Sequence, residues 1–470
     1  MARGLTREVG GDTSRWRPYG RRTEAAPLSR TSPLTSRSRL STLAERARQS
    51  LFLVPMGFAV GGIALAVLTL LLDEAVSGDL SLPLSVASTA ASARSTLSTV
   101  ASATMAFAGI AFSVTLLVFQ MSSSQYSPRV LQGLFLDTFN KRVIGLVVGT
   151  FTYCLVVLRS VHAAVDGGAD AAVPTFSTSV SVVLGVVAVL AIVAFIDHNA
   201  HRMDVSRILR DVTDQTLDRA DERWWPEEGA SVVAGPLPPG DPAEVVCDSS
   251  GWIQTMDASG ILGAVPDGTT VVVDTGPGHY AAEGTVLCRV WPADAVDDDV
   301  ARGVRGAVVT GPSRTLLQDP AYGVRQLVDV ALRALSPGVN DPTTAQDAIF
   351  HMADALRAVL RRPEPPAEVT GEGARRVVLP RRTPTEVVRL AFDELRRAAG
   401  PMPAVTSYLL AAMSTVAGSL GDVASAAEAR RELRRQADLA VAEAEHAGVP
   451  AWDVAQLRQQ LDRLELGPPS

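Results

Sequence analysis

The segment Ser336–Ala345, which reads SPGVNDPTTA, carries residue types suited to binding an anion. Asp341 precedes a proline at the predicted start of a helix, and two threonines follow that proline. The first backbone N–H groups of a helix have no partner within the helix and can bind a negatively charged group. With Arg314 expected nearby, the candidate anion or ligand corner comprises Arg325, Arg333, Asn340, Thr343 and Thr344.

The same segment also has a structural and a catalytic interpretation. Asp319-Pro320 and Asp341-Pro342 each place an acidic N-cap before a proline at the first helical position, and Ser336-Pro337-Gly338 ends the helix between them. Such a cap occupies N–H groups and repels an anion. Acid–base chemistry by Asp319 or Asp341 is the catalytic alternative, but no nucleophile and base stand in the arrangement that a hydrolase needs. We therefore expect no enzyme activity.

A second set of candidate residues interrupts an apolar run that is long enough to cross a membrane. Ser113, Thr115 and Gln120 lie in the run Leu97–Met121. Polar groups inside a bilayer usually face the interior of a helix bundle or a wet cavity, so these three are candidates for lining a path. The alternative is that the hydroxyls bond back to carbonyls of their own helix.

Two histidines after the last apolar run form a third candidate site. His198 and His201 are three residues apart and would share one face of a helix. Metalloenzyme pairs more often stand four residues apart beside a glutamate, and a third ligand would have to come from elsewhere. We therefore interpret this face as polar surface beside the membrane, and we expect neither a metal nor another cofactor.

The elements that must position these residues begin with apolar runs in the first 200 residues. A span needs about 20 apolar residues to cross roughly 30 Å of hydrocarbon. The sequence therefore predicts an α-helical polytopic membrane protein with four transmembrane helices, in which residues 46–200 form the membrane domain after a disordered Arg/Ser/Pro-rich tail, 1–45. The predicted spans are Leu51–Leu72, Leu97–Met121, Val143–Val165 and Ala171–Ile196.

The charges beside the spans predict that both ends of the chain face the cytoplasm. Arg48 precedes the first span, Lys141 and Arg142 precede the third, and Arg202 follows the fourth. Lys141 is the only lysine, and the arginine-rich composition is typical of a GC-rich bacterial genome. We expect a multi-pass protein of the bacterial cytoplasmic (plasma) membrane. The net charge of −7 gives no whole-chain signal for nucleic acid, which we do not expect as a partner.

After the spans, the sequence predicts an α+β cytoplasmic region. A juxtamembrane helix over 201–226, in which span four continues to about Arg223, leads to a small β-barrel or sandwich over 227–292 and a helical domain over 293–470. Residues 361–382 are expected to form a loop. The stretch Pro277–Leu287 resembles the turn and strand of biotinyl/lipoyl-type barrels, but it contains no lysine, which excludes lipoyl or biotin attachment.

Three segments together resemble a family of bacterial membrane proteins. They are the run Ser336–Ala345, the preceding helix Gln318–Leu335 and the segment Ser123–Arg129. The three segments occur in the order expected for the proteins grouped as domain of unknown function 2254. The resemblance to these proteins covers roughly residues 45–465. The resemblance implies a four-span protein with a cytoplasmic domain and implies no particular activity.

Two functions from different classes fit these patterns. The first is an oligomeric channel or transporter for ions or small solutes, with span two lining the path and the cytoplasmic domain gating it. The alternative is a membrane-anchored ligand-sensing or scaffold protein without transport. The expected partners are the lipid bilayer, further copies of the chain in a homo-oligomer and a ligand whose identity the sequence does not give.

Overall fold

The computed structural model describes residues 53–75, 89–125, 138–166, 174–202, 204–222, 228–362, 365–423 and 425–464. The predicted tail, 1–45, and the larger part of the Ser123–Arg129 segment lie outside these residues.

The described part of the chain contains four helices that are long and apolar enough to cross a membrane. Their outward faces carry large apolar side chains, such as Phe112, which is 69% exposed, and Leu190, which is 63% exposed. Side chains of this kind on the outside of a bundle suit contact with lipid. Four transmembrane helices were predicted from the apolar runs, and the structure confirms them as α1 to α4, Leu53–Ala75, Ala90–Gln125, Thr138–Asp166 and Thr175–Arg202.

Helices α1 and α3 approach each other at glycine. A Cβ atom on Gly62 would overlap the carbonyl oxygen of Gly149, and a Cβ atom on Gly149 would lie 2.8 Å from the carbonyl oxygen of Phe58. Gly57 and Gly61, which form a G-x-x-x-G pair in α1, have no atom within 4 Å of such a Cβ. Small residues at the contact let the two backbones come together, where lipid provides no hydrophobic drive.

The last turn of α1 caps the first turn of α4. The carboxylate of Asp73 accepts hydrogen bonds from the backbone N–H groups of Phe176, at 2.9 Å, and Ser177, at 3.0 Å. The hydroxyl of Tyr153 donates to the carbonyl oxygen of Ser177 at 2.9 Å and lies 3.0 Å from the hydroxyl of Thr69. A side chain from one span therefore satisfies N–H groups at the start of another, where they have no partner within their own helix.

The helix after α4 is a separate helix and not a continuation of the span. Helix α5, Val205–Asp221, is preceded by Asp204, which has extended dihedral angles of φ −71° and ψ 117° and accepts a hydrogen bond from the N–H group of Ser206. The predicted unbroken helix to about Arg223 is therefore corrected: an N-cap aspartate separates two helices because its side chain replaces the missing intrahelical partner.

The strands form two sheets. The first has the order β1-β8-β9-β4-β6-β2, in which β4 and β9 are parallel and the other neighbours antiparallel; the second has the order β5-β3-β7. Neither sheet closes on itself within the described residues, so the structure shows mixed helices and sheets without the predicted barrel. The strands are Ala230–Ser231 (β1), Ala243–Val246 (β2), Gly251–Met256 (β3), Thr270–Val273 (β4), Tyr280–Ala281 (β5), Val286–Trp291 (β6), Val308–Gly311 (β7), Glu368–Thr370 (β8) and Arg376–Val378 (β9).

Two of these strands come from a stretch that the sequence predicted as a loop. Strands β8 and β9 lie within residues 361–382, and β9 joins the sheet through parallel pairing with β4. The sheet therefore extends across the predicted domain boundary at residue 292. The Pro- and Arg-rich composition of this stretch hides two three-residue strands. Strand β9 pairs with β4, about one hundred residues earlier, and β8 pairs with β9 and with β1.

The longer helices of the C-terminal region pack with α5 around one apolar core. Leu209, Leu327, Leu356 and Phe392 are fully buried in it. The apolar helix Pro403–Ser419 is buried there too. The remaining helices are α6 (Ala258–Ala264), α7 (Asp298–Gly306), α8 (Ala321–Ala334), α9 (Pro342–Arg361), α10 (Pro384–Ala399), α11 (Pro403–Ser419), α12 (Ala426–His446) and α13 (Ala451–Arg463).

We predict that Gly62→Leu lowers the thermal midpoint of the detergent-purified protein because its side chain would separate α1 from α3. Overpacking of this kind costs about 1–3 kcal/mol. The matched control is Gly61→Leu, whose Cβ meets open space. Equal thermal midpoints for the two variants would contradict the contact between Gly62 and Gly149.

We also predict that Asp73→Ala frays the start of α4. Loss of an N-cap typically costs about 1 kcal/mol, so hydrogen exchange at Phe176 and Ser177 should accelerate several-fold. Glu74→Ala removes the neighbouring, exposed carboxylate and serves as the control. If both variants exchange alike at these two amides, Asp73 does not cap α4.

Candidate anion site

The predicted corner at the start of α9 is a capped helix end. The carboxylate of Asp341 accepts hydrogen bonds from the N–H group of Thr344 at 3.1 Å and from its hydroxyl at 2.6 Å. These bonds lower the pKa of Asp341. Thr343 and Asn340 are exposed beside it, and Asn340 has a positive φ of 47°. A carboxylate therefore already occupies the N–H groups that an anion would need.

The arginines expected at this corner have other surroundings. Arg325 forms ion pairs with Asp329, at 2.7 Å, and with Glu394 of α10. The hydrogen bond that Arg325 donates to Glu394 is the main reason that the pKa of Arg325 is raised. Arg333 lies in the last turn of α8 and is exposed. Thr344 is thus hydrogen-bonded to Asp341, whereas Arg325 forms an ion pair with Glu394 of α10.

The candidate path-lining residues do not converge inside the bundle of one chain. The hydroxyl of Ser113 donates to the carbonyl oxygen of Gly109 at 2.9 Å, and that of Thr115 donates to Ala111 at 2.7 Å. Ser113 and Gln120 are exposed on the surface of the bundle, whereas Thr115 is half-buried. The hydroxyls of Ser113 and Thr115 thus have acceptors within their own helix, which lowers the free-energy cost of placing them in lipid.

The histidine pair does not gather metal ligands in the described part of the chain. No group of three or more His, Cys, Asp or Glu side chains that could hold a metal ion occurs there. The ring of His198 lies 4.5 Å from the ring of Phe139, at an interplanar angle of 48°. The side chain of His201 lies outside the described residues.

A different group of side chains surrounds a buried carboxylate. The side chain of Asp319 is only 4% exposed, and its Oδ2 atom lies 2.6 Å from Nε of Arg314. Its Oδ1 atom lies 3.8 Å from Nε of Arg382. Arg314 also stacks over the ring of Tyr322, with 4.9 Å between the guanidinium carbon and the ring centroid. We call Arg314, Arg362, Arg381 and Arg382 the arginine cluster.

Asp319 was predicted to cap α8, and the structure corrects this. The cap position of α8 is taken by Pro320, which makes no side-chain capping bond, and the backbone carbonyl of Asp319 accepts the N–H group of Tyr322 at 2.9 Å. The side chain turns to Arg314 instead. Pairing with a guanidinium provides a stronger, charge-assisted hydrogen bond than a backbone N–H group does.

Segments from both the strand and the helical parts bring the cluster together. Arg314 follows β7, Arg362 follows α9, and Arg381 and Arg382 lie between β9 and α10. The turn at Gly278 closes over the buried carboxylate, since a Cβ atom there would overlap Oδ2 of Asp319, and its φ of +81° favours glycine. The Pro277–Leu287 stretch thus contributes the cover of this site.

A cavity of about 350 Å³ opens beside the cluster. Arg362, Arg381 and Arg382 form its basic wall, and Leu360, Pro365 and Val387 form an apolar wall. Glu428 also lines it, but its Oε1 atom accepts hydrogen bonds from the hydroxyl of Thr385 at 2.7 Å and from its N–H group at 3.2 Å.

The described charges of this site favour a negative ligand. The described residues that line the cavity include three arginines, Arg362, Arg381 and Arg382, and one carboxylate, that of Glu428, so arginine is in excess in the lining. Burial lowers the pKa of Arg314 and of Arg362, while the charge of Asp319 opposes that shift. An arriving anion would compensate the desolvation of the buried guanidiniums.

Two larger cavities, of about 550 and 510 Å³, lie along α13 but lack this excess. In the first, Arg458 is paired with Glu445 at 2.5 Å, and Asp462 adds a further negative charge. In the second, Arg463 stands beside Asp453. Their size alone therefore does not indicate a charge-selective site.

Sequence reasoning missed three of the four cluster arginines. The signal was present as two Arg-Arg pairs, 361–362 and 381–382, which bracket the stretch predicted as a loop. Only the pairing of β9 with β4 brings the second pair back to the end of α9, and this long-range contact is not encoded in local spacing.

Comparisons with known proteins agree with this architecture. A family described as predicted membrane proteins (DUF2254) matches residues 48–415. Uncharacterized proteins of Mycobacterium bovis and of Mycobacterium tuberculosis strain H37Rv are each 32% identical over 377 residues, which cover 78% of this chain and 71% of theirs. No solved structure matches the chain. The chain belongs to the DUF2254 family of predicted membrane proteins.

Proposed function

We propose that this membrane protein is an anchored receptor that binds a small anion in the cavity beside the arginine cluster. The observation that carries the proposal is a cavity of about 350 Å³ that has three arginines, Arg362, Arg381 and Arg382, in its lining. Guanidinium groups bind oxyanions through paired N–H donors. The role we propose is binding and signalling rather than catalysis.

A continuous series of packed helices supports a route from the cavity to the membrane. Leu360 and Arg362, at the end of α9, line the cavity. Helix α9 packs on α5, where Nδ1 of His351 lies 3.0 Å from the hydroxyl of Thr213. Helix α5 follows the fourth span after residues 203 and 204 alone. A shift of α9 on anion binding would therefore reach α4 through α5.

Close packing makes α5 sensitive to its neighbours. A Cβ atom on Gly323 of α8 would overlap the hydroxyl of Thr216, so α5 and α8 are in backbone-to-side-chain contact without spare room. Packed interfaces of this kind tend to switch between discrete arrangements rather than deform smoothly.

An oligomeric channel or transporter is the first of the two functions that the sequence indicated, and it stays a prediction. The exposed positions of Ser113 and Gln120 allow them to meet a second copy of the chain. The intrahelical bonds of the Ser113 and Thr115 hydroxyls favour the receptor, because these groups need no water-filled path. For either function, we propose the bacterial plasma membrane and a cytoplasmic C-terminal region.

We predict that the full-length protein in lipid nanodiscs binds inorganic phosphate and that Arg382→Gln weakens this binding at least about tenfold. A hydrogen bond to a charged group contributes about 1.5–3 kcal/mol. Arg382 lies farther from Asp319 than Arg314 does, so its loss leaves the pair between Arg314 and Asp319 intact. Isothermal titration calorimetry measures the dissociation constants.

The control for this titration is Arg458→Gln, an arginine that lines the cavity of about 550 Å³ along α13. It should bind phosphate as the unchanged protein does. Equal loss in both variants, or no binding by the unchanged protein, would remove the proposed site.

We predict that bound phosphate slows hydrogen exchange in α5 as well as in residues 360–384. The effect on α5 should be absent in Arg382→Gln, because that variant lacks binding rather than the helix contact. Protection confined to the cavity segments would leave the anion site in place but contradict its coupling to the fourth span.

A further inference from the structure

We infer that His351 is a pH-sensitive latch between α9 and α5, which holds the two helices together while its ring is neutral and releases them when the ring is protonated. The latch responds to protons and needs no anion, so it goes beyond the proposed function. Its parts are the imidazole ring, the hydrogen bond that the ring makes to α5 and the charges around it.

The ring lies where the C-terminal region meets the helix next to the membrane. Helix α4 ends at Arg202, and α5 begins at Val205. His351 of α9 is half-buried, and its Nδ1 atom lies 3.0 Å from the hydroxyl of Thr213 of α5, a residue that is only 4% exposed. A change of charge on this ring therefore occurs inside the contact between α9 and the helix that follows the fourth span.

Thr213 determines which ring nitrogen carries the hydrogen in the neutral form. The hydroxyl of Thr213 donates its single hydrogen to the carbonyl oxygen of Leu209 at 2.8 Å, so it can only accept from Nδ1 of His351. An added proton therefore enters at Nε2. No acceptor forms a hydrogen bond with Nε2 in the part of the chain that the structure describes.

The nearest charges compensate only part of the cost of a buried imidazolium. Four charged groups act on the ring, namely Asp347 and Asp354 of α9 and Arg210 and Asp214 of α5. Asp347 and Asp214 are exposed, so water screens their attraction for a charged ring. Asp354 is paired with Arg357 at 2.6 Å, and Arg210 repels a positive charge.

The other helices packed on α9 hold charged residues in pairs of their own. The pairs are Arg325 with Asp329 and Glu394, Arg389 with Glu432, and Arg396 with Glu443. Arg333 is exposed in the last turn of α8. Helix α11 contains no charged residue, and its Tyr408 is an ordinary phenol that is neutral below about pH 10. These helices therefore do not supply a counter-charge for the ring.

Burial consequently outweighs the charges and lowers the pKa of His351 below its ordinary value. Because the pKa is lower in the packed state than in an open one, the interface has its full stability above about pH 6.5, the ordinary pKa of histidine. It loses stability as the pH falls below that value. A charged ring regains its hydration only by leaving Thr213, so mild acidity loosens α5 from α9.

Hydrogen exchange of the full-length protein in phosphatidylcholine nanodiscs tests the latch in a buffer without phosphate. The measurements are made at about pH 7.5 and about pH 5.5, on either side of the ordinary pKa of histidine. Rates are divided by those of unstructured peptides at the same pH. We expect the protection of α5 to fall several-fold at the lower pH, whereas α12, which pairs with α10, keeps its protection.

Two histidine variants assign the effect to its residue. His351→Asn places an amide N–H group where Nδ1–H stands and does not titrate, so α5 should keep its protection at both values of pH. His446→Asn, at an exposed position in the last turn of α12, is the matched control and should show the same fall as the unchanged protein. An equal fall in His351→Asn, or no fall in the unchanged protein, would overturn the latch.

A carboxylate variant provides a second test if His351→Asn does not fold. Asp347 is exposed on α9 and favours the protonated ring, so Asp347→Asn should lower the pKa of His351 further. The loss of protection in α5 at about pH 5.5 should then be larger than in the unchanged protein. An unchanged loss would contradict the role of His351. Because no anion is present in these measurements, their failure would leave the proposed anion site untouched.

Discussion

The C-terminal region is organised around one carboxylate that has been removed from water. Asp319 is 4% exposed, and a buried charge of this kind is tolerated only with close counter-charges. Arg314 supplies the nearest one at 2.6 Å, and Arg382 stands farther away at 3.8 Å. The need to neutralise Asp319 joins a turn of the strand part, the end of α9 and the segment before α10. The cavity exists because these segments meet around a charge rather than around an apolar contact.

The sequence predicted the parts of the fold that depend on local pattern. The four apolar runs placed the ends of the membrane helices to within four residues, with three exceptions. The first residues of α2 and α3 precede the predicted spans by seven and five positions, and the last residue of α4 lies six positions beyond its predicted span. Helix α10 begins at Pro384 because Thr383 and Glu386 form a capping box and a proline follows Thr383, and these signals are carried by neighbouring residues. Pattern failed at Asp204, where one side-chain hydrogen bond decides between a continuous helix and two helices.

The candidate site was less predictable because its charges are paired over long distances in the chain. Arg325 was expected beside Thr343, yet its partner Glu394 is 69 residues away on another helix. The cluster likewise depends on the parallel pairing of β9 with β4, which carries Arg381 and Arg382 towards the end of α9. The residue types alone indicated arginines as candidates for binding an anion and Asp341 as the N-cap of a helix. Their assignment to partners required the tertiary structure, since alternative ion pairs differ little in local sequence.

The bond between Asp73 and the start of α4 has a consequence for the biogenesis of the protein. Asp73, in the first described span, is synthesised before the amides of Phe176 and Ser177, which follow about one hundred residues later. Until those amides have been synthesised, the carboxylate of Asp73 must accept hydrogen bonds from water or lipid headgroups. The earliest and the latest spans are then tied directly to each other, so the membrane bundle can reach its final form only after the last span has been inserted.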